Sequence, residues 1–418
     1  MRRPGPGRPR RSTEPFERAG QYRVPDDVAR RVELGHPWVF RDALGGRPIS
    51  EPTGQMIELY GGNHVFLARG FVDQEHPVAV RVLTRDPEAR VHPGAGTIAD
   101  RFKRAAQLRW LVLGPDRPTA MRLFSGDSEG LPGVNVDRFG DFVVVQWLTG
   151  GALPWRDELY DAIEEVAKPL GIYEQRRLRP LGGQAPAEPA VRARGDEAPL
   201  EVVVEEAGCR FAVDVTAPLG VGFYPDLRRG RDAVAARAAD RRVLNLFSYT
   251  GAFSIRAAHA GAREVVSVDS VAKVHARARR NAELSGLAAG RIEEVTMDAT
   301  KALERFASLG RKFDIVVCDP PTFSHAQGSG TPFSVTRDLG DLAAACVDVL
   351  EPGGLLAFST NSSKLGPADV ERALAEAASR TRWPLLVLER LSLPPDYPVA
   401  PGFPEGNYLK FYLAVRGV

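Results

Sequence analysis

The stretch Arg241–Asp269, RRVLNLFSYTGAFSIRAAHAGAREVVSVD, decides the fold. Val243 to Phe247 is a short apolar run of the kind a buried parallel strand needs. Ser248, Tyr249, Thr250 and Gly251 break it with small and turn-forming residues. Phe253 to Ala260 is an alanine-rich helix pattern that stops at Gly261. Val265 to Val268 is a second strand, and Asp269 closes it 18 residues after Gly251. Strand, turn, helix and strand make one βαβ unit.

This layout suits a nucleoside. Gly251 lets backbone approach a ligand where a Cβ would clash, and the helix start offers free N–H groups at the same point. An acid at the end of the second strand matches a pair of ribose hydroxyls. Only Gly251 is a glycine in the turn, so the full dinucleotide fingerprint is absent, and no Walker sequence follows. A nucleoside without a pyrophosphate, such as S-adenosylmethionine (SAM), fits better. Two further stretches extend the pattern. Arg291–Asp298, RIEEVTMD, is a short strand ending in an acid, where a third strand would reach the adenine. Phe313–Phe323, FDIVVCDPPTF, is an apolar strand ending in Asp319-Pro320-Pro321. Two prolines cannot pair in a ladder, so they fix a stiff loop at the carboxyl edge, where open α/β sheets bind ligands. Methyl transfer needs its acceptor held in line with the sulfonium, and rigid walls serve that end.

FSYTGAFS, VVSVD and DPPTF resemble the methyltransferase domain of the bacterial 23S ribosomal RNA methyltransferases that combine a PUA domain with a class I methyltransferase. HPWVF (His36 to Phe40), GDSEGLPGVNVDRFGDFVVVQ (Gly126 to Gln146), GFYPDLR (Gly222 to Arg228) and PEGNYLK (Pro404 to Lys410) resemble further family stretches, in family order. The match covers nearly all of the chain after about residue 22. It implies SAM as cofactor and large-subunit rRNA as substrate. The implied cofactor contacts are Phe223, Tyr224, Asp226, Arg228, Phe247, Ser248, Tyr249, Thr250, Gly251, Ala252, Asp269, Asp298 and Asp319. His36, Trp38 and Arg41 are candidate RNA contacts, with Trp38 also readable as a core residue. The family often carries Gln where this chain has Leu227, so one polar contact is missing.

The target atom is where the chain departs from its relatives. Cytosine C5 is not nucleophilic, and the usual solution is a cysteine thiolate that adds to C6. In the cytosine-5 members that cysteine follows a Phe-Ser pair; here the strand reads Phe358-Ser359-Thr360-Asn361, with Thr360 in its place. Cys318 reads as a packed core thiol, and Cys209 and Cys346 have no base near them in sequence. A base nitrogen needs no covalent step. DPPTFS with FSTNS looks more like the guanine-N7 methyltransferase domain of another 23S rRNA modifying enzyme of this wider group. The expected catalytic set is Asp319 positioning the base, Pro320 and Pro321 as rigid walls, Phe323 as a stacking wall and Asn361 as a base contact.

The 418 residues divide into four expected parts: a basic disordered tail over 1–20, a PUA-like domain over 21–92, a central α+β domain over 93–215 and the methyltransferase domain over 216–418. The last is α/β, Rossmann-like, with a seven-stranded doubly wound sheet. The first domain reads as short strands around a Gly61-Gly62 hairpin signal, with a helix over Asp26–Leu34. Thr97–Leu113 is a basic amphipathic helix, and Trp155–Leu170 a second one. Arg176–Ala198 is Pro-, Arg- and Gly-rich and reads as a loop, while Asp127, Glu129 and Asp137 in the Gly-rich hairpin read as solvated acids. Net charge is only +2, so overall charge argues weakly for nucleic acid, yet arginine clusters recur at Arg2–Arg11, Arg101–Arg109, Arg176–Arg179 and Arg228–Arg231. Three cysteines at unpaired spacings give neither a disulfide framework nor a zinc site. No apolar run reaches membrane-spanning length and the N-terminus lacks a signal-peptide core, which points to a cytoplasmic protein with no metal. RNA is the expected partner, and a homodimer is allowed for. The leading reading is a SAM-dependent rRNA methyltransferase acting at a base nitrogen. The alternatives are a cytosine-5 rRNA methyltransferase and a catalytically silent RNA-binding or ribosome-assembly factor. A small-molecule methyltransferase is disfavoured by the extra amino-terminal domains.

Overall fold

The computed structural model describes residues 20–44, 48–178, 188–321 and 335–418. The basic tail before residue 20, part of the 176–198 stretch and the stacking candidate Phe323 lie outside the described residues. Among the described residues the chain builds three sheets of five or more strands and one two-stranded ribbon.

The carboxy-terminal sheet has seven strands. Their spatial order is Glu293–Thr296, Glu264–Asp269, Arg242–Leu246, Phe313–Cys318, Leu350–Thr360, Lys410–Arg416 and Leu385–Leu391. The first five run parallel, and the last two join antiparallel. Strand order reverses at Arg242–Leu246, so the carboxyl ends of Arg242–Leu246 and Phe313–Cys318 open a crevice at the switch point. Both central strands are apolar because helices cover both faces. One face packs on Ala299–Ser308, Val335–Asp348 and Pro367–Thr381, the other on Arg228–Ala235 and Ala252–His259. The first strand stops at Leu246, one residue earlier than the apolar run suggests. Leu246 is the last residue in register with both Val268 and Cys318, and Phe247 turns away at φ 54°.

The amino-terminal sheet orders Gln21–Arg23, Met56–Tyr60, Phe66–Val72, Val78–Thr84 and Trp38–Phe40 around one apolar core, with helix Asp26–Glu33 against it. The central sheet orders Val191–Gly195, Gly171–Arg176, Phe142–Trp147, Val134–Phe139 and Ala120–Ser125, covered by helices Thr97–Leu113 and Arg156–Ala167. Val191–Gly195 corrects the reading of 176–198 as a loop throughout. VRARG alternates and pairs antiparallel with Gly171–Arg176, Val191 opposite Glu174 and Arg194 opposite Ile172. None of its residues is buried, so no apolar face marks the strand.

Charged side chains join these parts. Asp396, fully buried, accepts from Arg228 Nη1 at 2.8 Å and from the Arg122 backbone N–H at 3.1 Å, while its own carbonyl accepts from Arg109 Nε at 3.2 Å. Glu206 accepts from Arg231 through both oxygens, at 2.6 and 2.7 Å, and from Arg228 at 3.3 Å. Gly402 lies so close to the amino-terminal helix that a Cβ there would sit 2.1 Å from the Leu34 carbonyl oxygen.

Candidate active site at the sheet switch point

The turn after Leu246 is strained where function would need it. Phe247 and Tyr249 hold positive φ, 54° and 47°, at a cost of about 1–2 kcal/mol each for a residue with a Cβ. Gly251 follows at φ 82° and starts helix Ala252–His259. A Cβ on Gly251 would sit 3.1 Å from the Ala278 Cβ, so the glycine serves the backbone twist and the packing of Ala278; the space beside it is protein, not ligand. Asn281, fully buried, donates to the Thr250 carbonyl at 3.0 Å and holds the turn from behind.

Asp269 is half-buried at the end of the neighbouring strand. Its carboxylate accepts from the Tyr249 N–H at 2.9 Å and the Val271 N–H at 3.0 Å, which fixes it beside the turn with lone pairs still open to a diol. Ser248 is buried, and its hydroxyl has no hydrogen-bond partner among the described residues. An orphaned hydroxyl next to a fixed carboxylate is what a polar ligand would satisfy, so these residues fit the nucleoside of SAM. Thr250 donates to the Gly222 carbonyl at 2.6 Å and clamps the Gly220–Arg228 loop over the turn. Asp298 has a structural duty: its Oδ1 caps helix Ala299–Ser308, accepting from the N–H groups of Thr300 and Lys301 at 3.0 and 3.2 Å.

Across the crevice, Asp319 ends the Phe313–Cys318 strand and accepts from Ser359 Oγ at 2.5 Å. Burial pushes its carboxyl up to about 6, and the nearby Asp226 charge adds to this against the Ser359 bond and Arg231. Pro320 is buried and Pro321 exposed, so the first proline anchors the exit and the second faces out. Asn361 is exposed just beyond the neighbouring strand end. Asp226 accepts from the Tyr408 hydroxyl at 2.8 Å, and burial raises its pKa. Tyr224 is 48% exposed, and its ring lies 5.5 Å from that of Tyr249.

Residues 187–407 match the model of the S-adenosylmethionine-dependent methyltransferases, and residues 23–85 match that of a PUA-like domain. The chain belongs to the S-adenosylmethionine-dependent methyltransferase family. It is 33% identical over 378 residues to the ribosomal RNA large subunit methyltransferase I of Aeromonas salmonicida, covering 90% of this chain and 94% of that one. It is 30% identical over 375 residues to the protein of the same name in Aliivibrio fischeri, with the same two coverages. Among solved structures, SMU.776, described as a methyltransferase and complexed with SAH, superposes with a TM-score of 0.85 at 25% identity, over 94% of this chain and 99% of that one.

Several residues expected at the methyltransferase's surfaces lie elsewhere. Phe223 is buried and stacked on Phe211 at 4.6 Å, with the Arg231 guanidinium 4.5 Å over its ring, so it packs in the core. Arg228 is buried, and its guanidinium is engaged by Asp396, Glu206 and the Ala120 carbonyl, which fastens the loop to the Ala120–Ser125 strand. His36 is buried, its Nε2 3.1 Å from Glu405 and its ring edge-on to Phe403. The Trp38 indole packs 4.6 Å from Phe403 and donates to Asp127 at 2.5 Å. Arg41 is half-buried and donates to the Asp73 carbonyl at 2.6 Å. The acids read as solvated are also tied down. Asp127 takes the Trp38 indole and the Gly133 N–H, Glu129 takes Arg109 and the Ser125 N–H, and Asp137 takes Arg122. The sequence reading missed Ser359, Tyr408, Asn281 and Asp396. Tyr408 lies in PEGNYLK, the one signal that could have found it. No group of three or more His, Cys, Asp and Glu side chains comes together as a metal site among the described residues. No helix among them is long and apolar enough to cross a membrane.

Proposed function

We propose that this methyltransferase acts on large-subunit ribosomal RNA and methylates a base nitrogen, guanine N7 or similar, by direct transfer. The observation that carries the nitrogen reading is the state of the thiols. All three cysteines are buried, and burial raises the Cys318 thiol well above its ordinary value, which disfavours the thiolate that a C5 route needs. Thr360 is buried too, its hydroxyl accepting from the Ser362 N–H at 3.2 Å, so it offers no nucleophile at the position the resemblance gives to cysteine. The names of the curated relatives support the RNA substrate.

SAM, when bound, supplies an electrophilic methyl on sulfur. Asp269 holds the ribose hydroxyls, and the strained turn of Phe247, Ser248, Tyr249, Thr250, Gly251 and Ala252 borders the rest of the nucleoside. Asp298 keeps one carboxylate oxygen for the adenine side. Asp319, fixed by Ser359, orients the base edge and accepts its hydrogen bond, while Pro320 and Pro321 keep that exit stiff. Asn361 lies on the adjoining strand end as a second edge contact. The experiment is transfer of a labelled methyl from SAM to rRNA lacking native modifications, read by nucleoside mass spectrometry. Labelled 7-methylguanosine or an N-methyl base is expected. Labelled 5-methylcytidine would overturn the nitrogen reading, and no label on RNA would overturn the RNA reading.

A further inference from the structure

We infer that Tyr224 and Asp226 form the seat of the acceptor base, the Tyr224 ring as its stacking wall and the Asp226 carboxylate as the acceptor for an N–H on its edge. The inference rests on the RNA-base reading above and gives this pair to the substrate, where the family resemblance gives it to the cofactor.

The loop Gly220–Arg228 is anchored on both sides of one projecting ring. Phe223 and Pro225 are buried, whereas Tyr224 between them is 48% exposed. The backbone under that ring is fixed. The Tyr224 carbonyl accepts from Arg231 Nη1 at 2.9 Å and from the Leu227 N–H at 3.3 Å, and Thr250 holds Gly222 two residues earlier. A Cβ on Gly220 would lie 2.9 Å from the Tyr224 hydroxyl, so glycine leaves room for the phenol to lie along the loop. The ring leans 35° from that of Tyr249, whose own N–H contacts Asp269. It therefore stands one aromatic ring away from the ribose acid, at the mouth of the crevice.

Asp226 lies two residues on, and only one of its oxygens is satisfied. Oδ2 takes the Tyr408 hydroxyl, whereas Oδ1 is buried and has no hydrogen-bond partner among the described residues. A buried carboxylate oxygen without a donor is costly, and an N–H from a ligand would remove that cost. Tyr408, which holds Asp226, lies two residues before Lys410, the register partner of Thr360, and the adjoining Ser359 holds Asp319, so both carboxylates are tied to the same pair of strand ends. An aromatic face, an orphaned acceptor and a strand-end carboxylate are the parts by which a base taken out of a stack is held. The unsatisfied oxygen selects a base edge that presents an N–H donor.

The test measures methyl transfer from SAM to an in vitro transcript of large-subunit rRNA, beside calorimetric SAM affinity. Tyr224→Ala is expected to lower kcat/KM for the transcript by about 10- to 100-fold, the range of one lost base–aromatic stack. Tyr224→Phe recovers most of that loss, Asp226→Asn lowers kcat/KM by about tenfold, and SAM affinity is unchanged in all three variants. If Tyr224→Ala weakens SAM by the same factor, the ring is a cofactor wall and the inference falls. It also falls if Tyr224→Ala matches the wild type. A wild-type protein that binds SAM but labels no RNA base would overturn the parent reading, and this inference with it.

Discussion

Asp319→Asn separates the chemistry of the crevice from its stability. The carboxyl rises from its ordinary value of 3.8 to about 6, first because it is buried and then because Asp226 stands near. A carboxyl raised on folding binds its proton more tightly in the native state. Its contribution to stability is therefore full below 3.8 and is lost as pH climbs through about 6. Moving the midpoint that far costs at most about 3 kcal/mol at pH 8, and the partial exposure of the side chain reduces this to about 1–2 kcal/mol. Asparagine keeps the shape and still accepts from Ser359, so the variant should be as stable as the wild type at about pH 8, or slightly more so. Activity goes the other way. If the ionised carboxylate orients the base, wild-type turnover falls about tenfold per pH unit below about 6. Asp319→Asn then gives a flat profile, lowered by about 100-fold at neutral pH. The assay is single-turnover methyl transfer between about pH 5 and 8, with urea unfolding at each end. A variant that keeps wild-type turnover and the same pH profile refutes the assignment of Asp319 to the base.

Three further perturbations test the remaining parts. Asp269→Ala should weaken SAM by about 1.5–3 kcal/mol, because it removes a charge-assisted ribose contact; unchanged calorimetric affinity would remove that role. Cys318→Ala should leave methylation close to wild type, since the thiol is packed among Leu246, Val316 and Phe358 in a core; a folded variant without activity would make it a nucleophile. Asp396→Ala should lower stability by about 1–3 kcal/mol in urea unfolding, because it leaves the buried Arg228 Nη1 and the Arg122 N–H without their acceptor while Glu206 still balances the charge; an unchanged midpoint would mean that water replaces the carboxylate.

What was legible in the sequence was local. The strand–turn–helix–strand of Arg241–Asp269 reads directly because apolar runs, one glycine and a terminal acid lie within 29 residues. The helix Thr97–Leu113 reads to the residue, since its apolar stripe is long. The strand Val191–Gly195 does not, because none of its five residues is buried and no apolar face marks it. Partners distant in sequence are invisible to any periodicity. Asp396 meets Arg228 across 168 positions, and His36 meets Glu405 across 369. His36, Trp38 and Arg41 look like RNA contacts because polar and aromatic residues in a loop carry that signal. The same residue types also pack against distant segments, as His36 and Trp38 do on Phe403, and nothing within HPWVF tells the two uses apart.

That packing bears on how the enzyme chooses its target. The acceptor side of the crevice is built from the Gly220–Arg228 loop and from Tyr408, and both are tied to the amino-terminal parts. Arg228 and Asp396 lock the loop to the central sheet through Arg122, and Arg122 in turn pairs with Asp137 and acts on Asp226 and Tyr408. Trp38, Phe403 and Asp127 lock the amino-terminal sheet to the segment that leads into Tyr408. Buried ion pairs of this kind add little net stability compared with apolar packing, but they tolerate few alternative geometries. Here they fix the Gly220–Arg228 loop and Tyr408 relative to the two amino-terminal sheets. Loosening the joint at Asp396 should accordingly broaden the set of methylated nucleotides before it abolishes methyl transfer. Nucleoside mapping of rRNA treated with Asp396→Asn would read this directly, and a single unchanged site in a measurably destabilised variant would show that the base seat alone selects the target.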